Sequence, residues 1–285
     1  MIEQVLIIGM GHIGGSLAMA LKHSKFARKI VACDNNLKSL EKALQLDIID
    51  EFHKEPDSLL TEETLVVVSV PIGSYSDVFK RLSILNIRNY VLTDVGSTKA
   101  SVVKVASEIF GDIPDYFVPA HPIAGKEKSG IDAAQSDLFE GCRVLITPHA
   151  NLQASAKDTV TTMWTAVGSK VEEISIAKHD RLLACTSHLP HMVAYALVDY
   201  LSNSQESDII FKYAAGGFGD LTRIASSSPE MWRDICLANR DEILLTLDSY
   251  QGRLGHLRDC IERKDASALL DLFSQAKSTR DKVGN

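Results

Sequence analysis

The sequence predicts an α/β protein, a doubly wound parallel sheet followed by an all-helical domain. Three observations carry that expectation. Short apolar runs alternate with helical stretches through residue 175, the rhythm of βαβ units. The strand signal then stops, and only helical periodicity follows. Between the first apolar run and the first helix, Gly9, Gly11 and Gly14 stand in G-x-G-x-x-G spacing.

Taken in order, "QVLIIGM" reads as a strand and "GGSLAMALKHS" as a helix. "KIVACD" and "LKSLEKALQL" repeat the pair, and so do "TLVVVSVP" and "YSDVFKRLSIL". "YVLTDVG" is a strand, "KASVVKVASEIF" a helix, and "YFVPAHP" and "RVLITP" two more strands. These strands are continuous apolar runs, as expected where a parallel sheet is covered on both faces. From Lys178 onward, "RLLACTSHLPHMVAYALVDYL" reads as one long helix with a proline inside it. The stretch "MWRDICLANRDEILLTLDSYQGRLGHLRDCIERKD" reads as another. In the latter, Ile243, Leu247, Tyr250, Leu254, Leu257 and Ile261 recur four and three residues apart, a heptad-like seam. Two readings of it stand side by side: a helix-to-helix core within one chain, or a dimer interface. The domain boundary is expected near residue 176, giving a dinucleotide-binding domain 1–176 and a helical substrate and dimerisation domain 177–285.

Composition narrows the function classes. The chain of 285 residues carries a formal net charge of −7 and no basic run, which argues against a nucleic-acid partner. No apolar run approaches the roughly 18 residues a spanning helix needs, so no membrane partner is expected. The amino-terminal "MIEQVLIIGMG" reads as a strand and not as a signal peptide. Five scattered cysteines with no C-x-x-C spacing indicate neither a disulfide framework nor a zinc site, and a reducing, cytoplasmic compartment is expected.

The glycine pattern is weak alone, but here it follows an apolar strand and opens a helix. Gly9 would allow the tight turn, Gly11 a close backbone approach to a pyrophosphate, and Gly14 close helix–strand packing, as in a Rossmann-type domain. The second strand ends in Asp34, a carboxylate suited to the ribose hydroxyls of NAD and repulsive to the phosphate of NADP. Gly9, Gly11, His12, Ile13, Gly14, Asp34, Val70 and Pro71 are the candidate cofactor-binding residues; for His12 the backbone is the useful part. No metal site is expected.

Two later strand ends, "VLTDVGSTK" with Ser97 and "FVPAHPIAG" with His121, point into the same crevice. A histidine there suits a general base at neutral pH, with Ser97 sharing its hydrogen bond. In the helical part, "CTSHLPHMVAYAL" places Ser187, His188 and His191 near a proline kink, the wall of a cleft. "GGFGDLTRIASSSPEMWRD" supplies Arg223, suited to a two-point grip on a carboxylate or to a surface ion pair with Asp220, and then Trp232.

The stretches "GMGHIGGSLAMAL", "DVGSTK", "HPIAGKEKSG", "HDRLLACTSHLPH" and "GGFGDLTRIASSSPEMWRD", in this order, resemble the prephenate and arogenate dehydrogenase family of tyrosine biosynthesis over nearly the whole chain. The resemblance implies a homodimer of a Rossmann domain and a helical dimerisation domain. It implies NAD-dependent oxidative decarboxylation of prephenate to 4-hydroxyphenylpyruvate, or of arogenate to tyrosine. By it, His121 matches the histidine that accepts the ring hydroxyl proton, and Ser97 the serine beside it. His191 and Ser187 match residues lining the cleft, and Arg223 the arginine that holds a substrate carboxylate. Glu127 matches a glutamate at the cleft mouth, and Trp232 an aromatic of its wall. Lys126 departs from the threonine or serine that several members carry after H-P-I-A-G, and can help hold a dianionic substrate or be solvated. Two other readings remain: a different NAD-linked hydroxy-acid dehydrogenase, and a non-catalytic NAD-sensing protein.

Overall fold

A computed structural model describes residues 2–56, 63–85, 90–125 and 128–283. Lys126 and Glu127 lie outside the described residues. The chain divides into two units, Met1–Arg240 and Asp241–Asn285.

The first unit is built on a six-stranded parallel sheet: β1 (Ile2–Ile8), β2 (Ala27–Cys33), β3 (Glu51–His53), β4 (Thr64–Val68), β5 (Val91–Asp94) and β6 (Phe117–Val118). Their order in the sheet is β3-β2-β1-β4-β5-β6, so the chain reverses direction of travel between β1 and β4. A ligand crevice belongs at that switch point, beyond the carboxyl ends of the strands. Register is set by apolar pairing, with Val5 opposite both Ile30 and Leu65. Alternation along β1 sends Val5 and Ile7 to one face and Leu6 and Ile8 to the other, and both faces are buried. Leu17 and Leu21 of α1 (His12–Ser24) and Val160, Met163 and Trp164 of α5 (Ala154–Ala166) cover the first face. The second is covered by Tyr75, Phe79 and Leu82 of α3 (Tyr75–Ile84), with Val102, Val103 and Ala106 of α4 (Ala100–Phe110). Helix α2 (Leu37–Gln45) adds Leu40 and Ala43.

Three expectations need correction. "YFVPAHP" is not one strand. It breaks at Pro119, which has no N–H to give to a ladder, and resumes as β7 (Ala120–Pro122) in a separate sheet of order β7-β8-β9. There β7 pairs antiparallel with β8 (Arg143–Ile146), which pairs parallel with β9 (Lys170–Glu173). His121 therefore sits just past the main sheet and not at the end of one of its strands. The long helix expected over 181–201 is also interrupted. It comprises the end of α6 (Ile176–Leu183), a wide π-turn over Ala184–His188, and α7 (Leu189–Ser202) with Pro190 in its first turn.

Helices α8 (Ser207–Lys212), α9 (Gly216–Thr222) and α10 (Pro229–Ala238) complete this unit. The second predicted long helix breaks at Asn239, where α10 ends and α11 (Arg240–Glu262) begins. Unit Asp241–Asn285 holds the body of α11 and α12 (Ala266–Arg280), whose amino end is capped by Asp265 accepting from the Ala268 N–H at 2.9 Å. Leu254 and Ile261 of the predicted seam are exposed, and so are Leu270 and Phe273 of α12. Among the described residues, no helix is long and apolar enough to cross a membrane.

Candidate active site

The cofactor side begins where β1 stops. Gly9 has φ +102°, and a Cβ there would lie 2.2 Å from the Ser69 carbonyl oxygen. Only glycine lets the turn pass that close to β4. A Cβ on Gly14 would lie 2.0 Å from the Gly9 oxygen, whereas one on Gly11 would meet nothing within 4 Å. Gly9 and Gly14 thus serve packing, and Gly11 opens on free space. Helix α1 starts beside it with no capping side chain and no acidic residue in its first turn. An uncapped helix start with its positive dipole end suits a phosphate.

A cavity of about 370 Å³ runs from here, lined by Gly9, Gly11, Asp34, Val70 and Pro71 among others. Of the predicted cofactor residues, His12, Ile13 and Gly14 stand behind it in α1. Asp34 accepts the Met10 N–H at 2.5 Å and the Asn36 N–H at 2.7 Å, which fixes its carboxylate at the tip of β2. Farther along, the Arg81–Glu55 ion pair (2.5 Å) borders the same cavity. A nicotinamide dinucleotide fits this donor set: free space over Gly11, an uncapped helix start, and a carboxylate in place of a phosphate-binding cation at the second strand.

The second constellation is built on a buried charge pair. Asp94, the last residue of β5, accepts from Lys99 Nζ at 2.5 Å, from the Gly96 N–H at 2.8 Å and from the Ala120 N–H at 3.0 Å. Lys99 Nζ also donates to the Ala120 carbonyl at 2.7 Å. Both side chains are fully buried. Burial pulls the Lys99 ammonium below the usual lysine range, against the opposing pull of Asp94. The pair stitches the loop that carries Ser97, which is half-buried, to the residue before His121.

His121 Nδ1 lies 2.9 Å from His179 Nε2, and His179 Nδ1 lies 2.7 Å from Asp180 Oδ1. Asp180 in turn accepts the N–H groups of Lys99 and Ala100, each at 2.8 Å, at the start of α4. His179 and Asp180 belong to α6 and are buried. Sequence reasoning overlooked both. The signal was there, in the "HD" pair inside the quoted "HDRLLACTSHLPH", but nothing in spacing tells that α6 docks behind β7. Burial first, then the neighbouring His179, Lys99 and His188, hold the His121 imidazole well below the ordinary histidine range. Burial also lowers His179, against the hydrogen bond it donates to Asp180, which favours its charged form. Asp180 is held below the usual carboxylate range. Its burial works the other way, but the His179 hydrogen bond and the two amides prevail.

The π-turn shapes the helical wall. His188 points inward, 1% exposed, with Nδ1 3.1 Å from Asn239 Nδ2, and burial pushes it down to about 4. Asn239 Nδ2 also donates to the Asp180 carbonyl at 2.9 Å, so the break between α10 and α11 is tied to the same network. His191 Nδ1 lies 2.9 Å from the Ser187 carbonyl, and its ring stacks on Trp232 with centroids 3.8 Å apart. Burial lowers His191 as well. Arg223 is exposed and opens the turn Arg223–Ser226, which packs against α7; Tyr195 of α7 holds that turn through a 2.7 Å hydrogen bond to the Ser227 carbonyl. His121, His179, Asp180 and His188 thus form one network, with Ser97 on the adjoining loop. His191, Ser187 and Trp232 form a neighbouring patch that joins the network through His188, whose ring meets Trp232 edge-on. Among the described residues no group of His, Cys, Asp and Glu is arranged to hold a metal.

A sheet of this order, a glycine turn at its switch point and a proton-poor imidazole beside it define an NAD-dependent oxidoreductase. Two family models divide the chain: prephenate dehydrogenase, nucleotide-binding domain, over residues 17–173, and prephenate dehydrogenase, dimerization domain, over residues 175–275. The chain belongs to the prephenate dehydrogenase family. It is 35% identical to the prephenate dehydrogenase of Bacillus subtilis over 98% of this chain and 76% of that one. It is 32% identical to the cyclohexadienyl dehydrogenase of Zymomonas mobilis over 98% and 95%. Among solved structures it is similar to prephenate dehydrogenase from Aquifex aeolicus in complex with hydroxyphenyl propionate and NAD+. The TM-score is 0.92 at 37% identity, covering 100% of this chain and 99% of that one.

Proposed function

We propose that this chain oxidises and decarboxylates prephenate, with NAD as hydride acceptor, to give 4-hydroxyphenylpyruvate and carbon dioxide. The observation that carries the reading is His121: an imidazole kept neutral by burial, one residue past Ala120, whose N–H and carbonyl are tied to Asp94 and Lys99 at the end of β5. When bound, NAD supplies the hydride-accepting ring, and Gly11, the start of α1 and Asp34 would hold it. Neutral His121 accepts the proton of the ring hydroxyl as the C–H bond on the same carbon gives up its hydride, with Ser97 beside it. The carboxylate leaves as carbon dioxide and its bonding electrons make the ring aromatic. Arg223 grips a substrate carboxylate, while His191, Ser187 and Trp232 line the cleft wall. Glu127 is assigned to its mouth on resemblance alone, and Lys126, which departs from the family motif, either helps hold the dianionic substrate or is solvated. A homodimer through the helical part fits the dimerization-domain match and the exposed apolar side chains of α11 and α12.

The test is His121→Asn. With the general base gone, kcat should fall by about 10²–10⁴-fold while KM changes little. Normal turnover would refute the role. The Zymomonas relative favours a second reading, arogenate as substrate. Initial rates with prephenate and arogenate, each with NAD and NADP, separate the two.

A further inference from the structure

We infer that Asp180, acting through His179, fixes the tautomer of His121, so that Nδ1 carries the resting proton and Nε2 is the bare nitrogen that serves as base. This rests on the reading of His121 as the base and makes both α6 residues positioning residues.

The argument follows donors and acceptors. Both oxygens of Asp180 accept main-chain N–H groups, from Lys99 and Ala100. A carboxyl group accepting on both sides is an anion and has no proton to give. His179 Nδ1, 2.7 Å from Oδ1, must therefore donate. The burial that disfavours a charged imidazole at His179 leaves that ring one proton, so its Nε2 is an acceptor. His121 Nδ1, 2.9 Å from that nitrogen, must then donate in turn. The only lone pair left on a neutral His121 is on Nε2. Imidazole side chains free of partners favour the opposite form, so the relay selects the less common tautomer.

The same geometry says what the relay does not do. His179 is fully buried and the side chain of Asp180 is 4% exposed, so a proton handed inward has no exit. The proton accounting of the reaction needs none. The hydroxyl proton moves to His121 Nε2 as hydride leaves. Loss of carbon dioxide then returns an electron pair to the ring and turns the ring oxygen into a phenolate. A phenolate is a far stronger base than a desolvated imidazole, so Nε2–H returns the proton to the oxygen it came from. His121 borrows a proton, and His179 and Asp180 hold the ring in register while it does.

Selective ring-¹⁵N labelling with long-range ¹H–¹⁵N correlation spectra reads the tautomer of each of the nine histidines directly; loss of one set of signals in His121→Asn assigns His121. The wild-type protein should show His121 protonated on Nδ1, and His179→Leu should move that proton to Nε2. The His179→Leu variant should lose about 10²–10⁴ in kcat, the range a general base contributes and up to the loss of about 10⁴ seen when a triad-type carboxylate no longer sets the tautomer, with NADH affinity unchanged. His179→Gln, which restores an acceptor for Nδ1–H, should regain at least about tenfold of that loss. Wild-type His121 protonated on Nε2, or a kcat for His179→Leu within about threefold of wild type, overturns the inference. The wild-type spectrum decides the matter even should a variant fail to fold. Failure of the base reading has a different signature: His121→Asn would then keep its turnover whatever tautomer is observed.

Discussion

At the scale of single residues, the decisive quantity is the proton affinity of one imidazole. The sequence suggests a base with an ordinary histidine pKa, and hence activity that climbs through neutrality. Burial beside His179, Lys99 and His188 instead keeps His121 neutral well into the acid range. Two carboxylates lie one step away, Asp94, which accepts the Ala120 N–H, and Asp180 behind His179, and both are already satisfied by hydrogen bonds from Lys99 and from backbone amides. The expected kcat/KM profile is therefore flat from pH 6 to 8, with its acid limb below the ordinary histidine value. A limb centred at or above 6.5 would mean that His121 is more exposed to solvent or anions than its surroundings imply. Asp34 makes a second case. Its carboxylate is fixed by two backbone amides at the end of β2, so its charge is held at the ribose side of the cavity. Asp34→Ser should raise the NADP-to-NAD ratio of kcat/KM by at least about tenfold, since a buried or fixed charge contact is worth upwards of about 1.4 kcal/mol. Arg223→Ala should raise the substrate KM about tenfold or more and leave NAD affinity unchanged; an equal loss of NAD binding would remove Arg223 from the substrate cleft.

At the scale of elements, what was legible in the sequence follows from how local its cause is. Glycine spacing, apolar runs and the acid at the end of β2 are local, and the sheet and cofactor crevice come straight from them. Helix α5 escaped because its sequence is poor in helix signals. Thr159, Thr162 and Thr165 satisfy their hydroxyls on carbonyls one turn back, and only Ala156, Val160, Met163 and Trp164 face the core. Pro119 looked like part of a strand because its neighbours are apolar, although it divides two sheets. The π-turn and the break at Asn239 were invisible for another reason: both exist to bring distant groups together. One inserts His188 into the interior, and the other turns Asn239 Nδ2 onto His188 and the Asp180 carbonyl. Asn239→Leu would keep the volume and leave His188 Nδ1 buried and unpaired, while the Asp180 carbonyl keeps only the Ala184 N–H. A loss of about 1–3 kcal/mol follows, measurable as a lower urea midpoint. An unchanged midpoint would show that the helix break needs no polar clasp.

At the scale of the whole molecule, the site burdens the fold in acid. His121, His179, His188 and His191 all sit in the unit Met1–Arg240, and burial lowers the proton affinity of each. In the unfolded chain they titrate near 6.5. Above that pH neither state binds these protons and the histidines leave stability untouched. As pH falls through 6.5, the unfolded chain takes up protons that the folded one refuses, so unfolding becomes easier. The effect deepens until the folded-state values are reached, about 4 for His188. Asp180 acts in a lower window. Its depressed pKa stabilises the fold above the usual carboxylate value, and that contribution fades only as pH drops below it. Unfolding between pH 6.5 and 4.5 should therefore take up protons at this cluster, seen as a urea midpoint that drops steadily over that range. His188→Gln should flatten the slope by close to one proton. A midpoint indifferent to pH between 7 and 5 would mean that these imidazoles accept protons in the folded state, and the neutral base on which the chemistry depends would go with them.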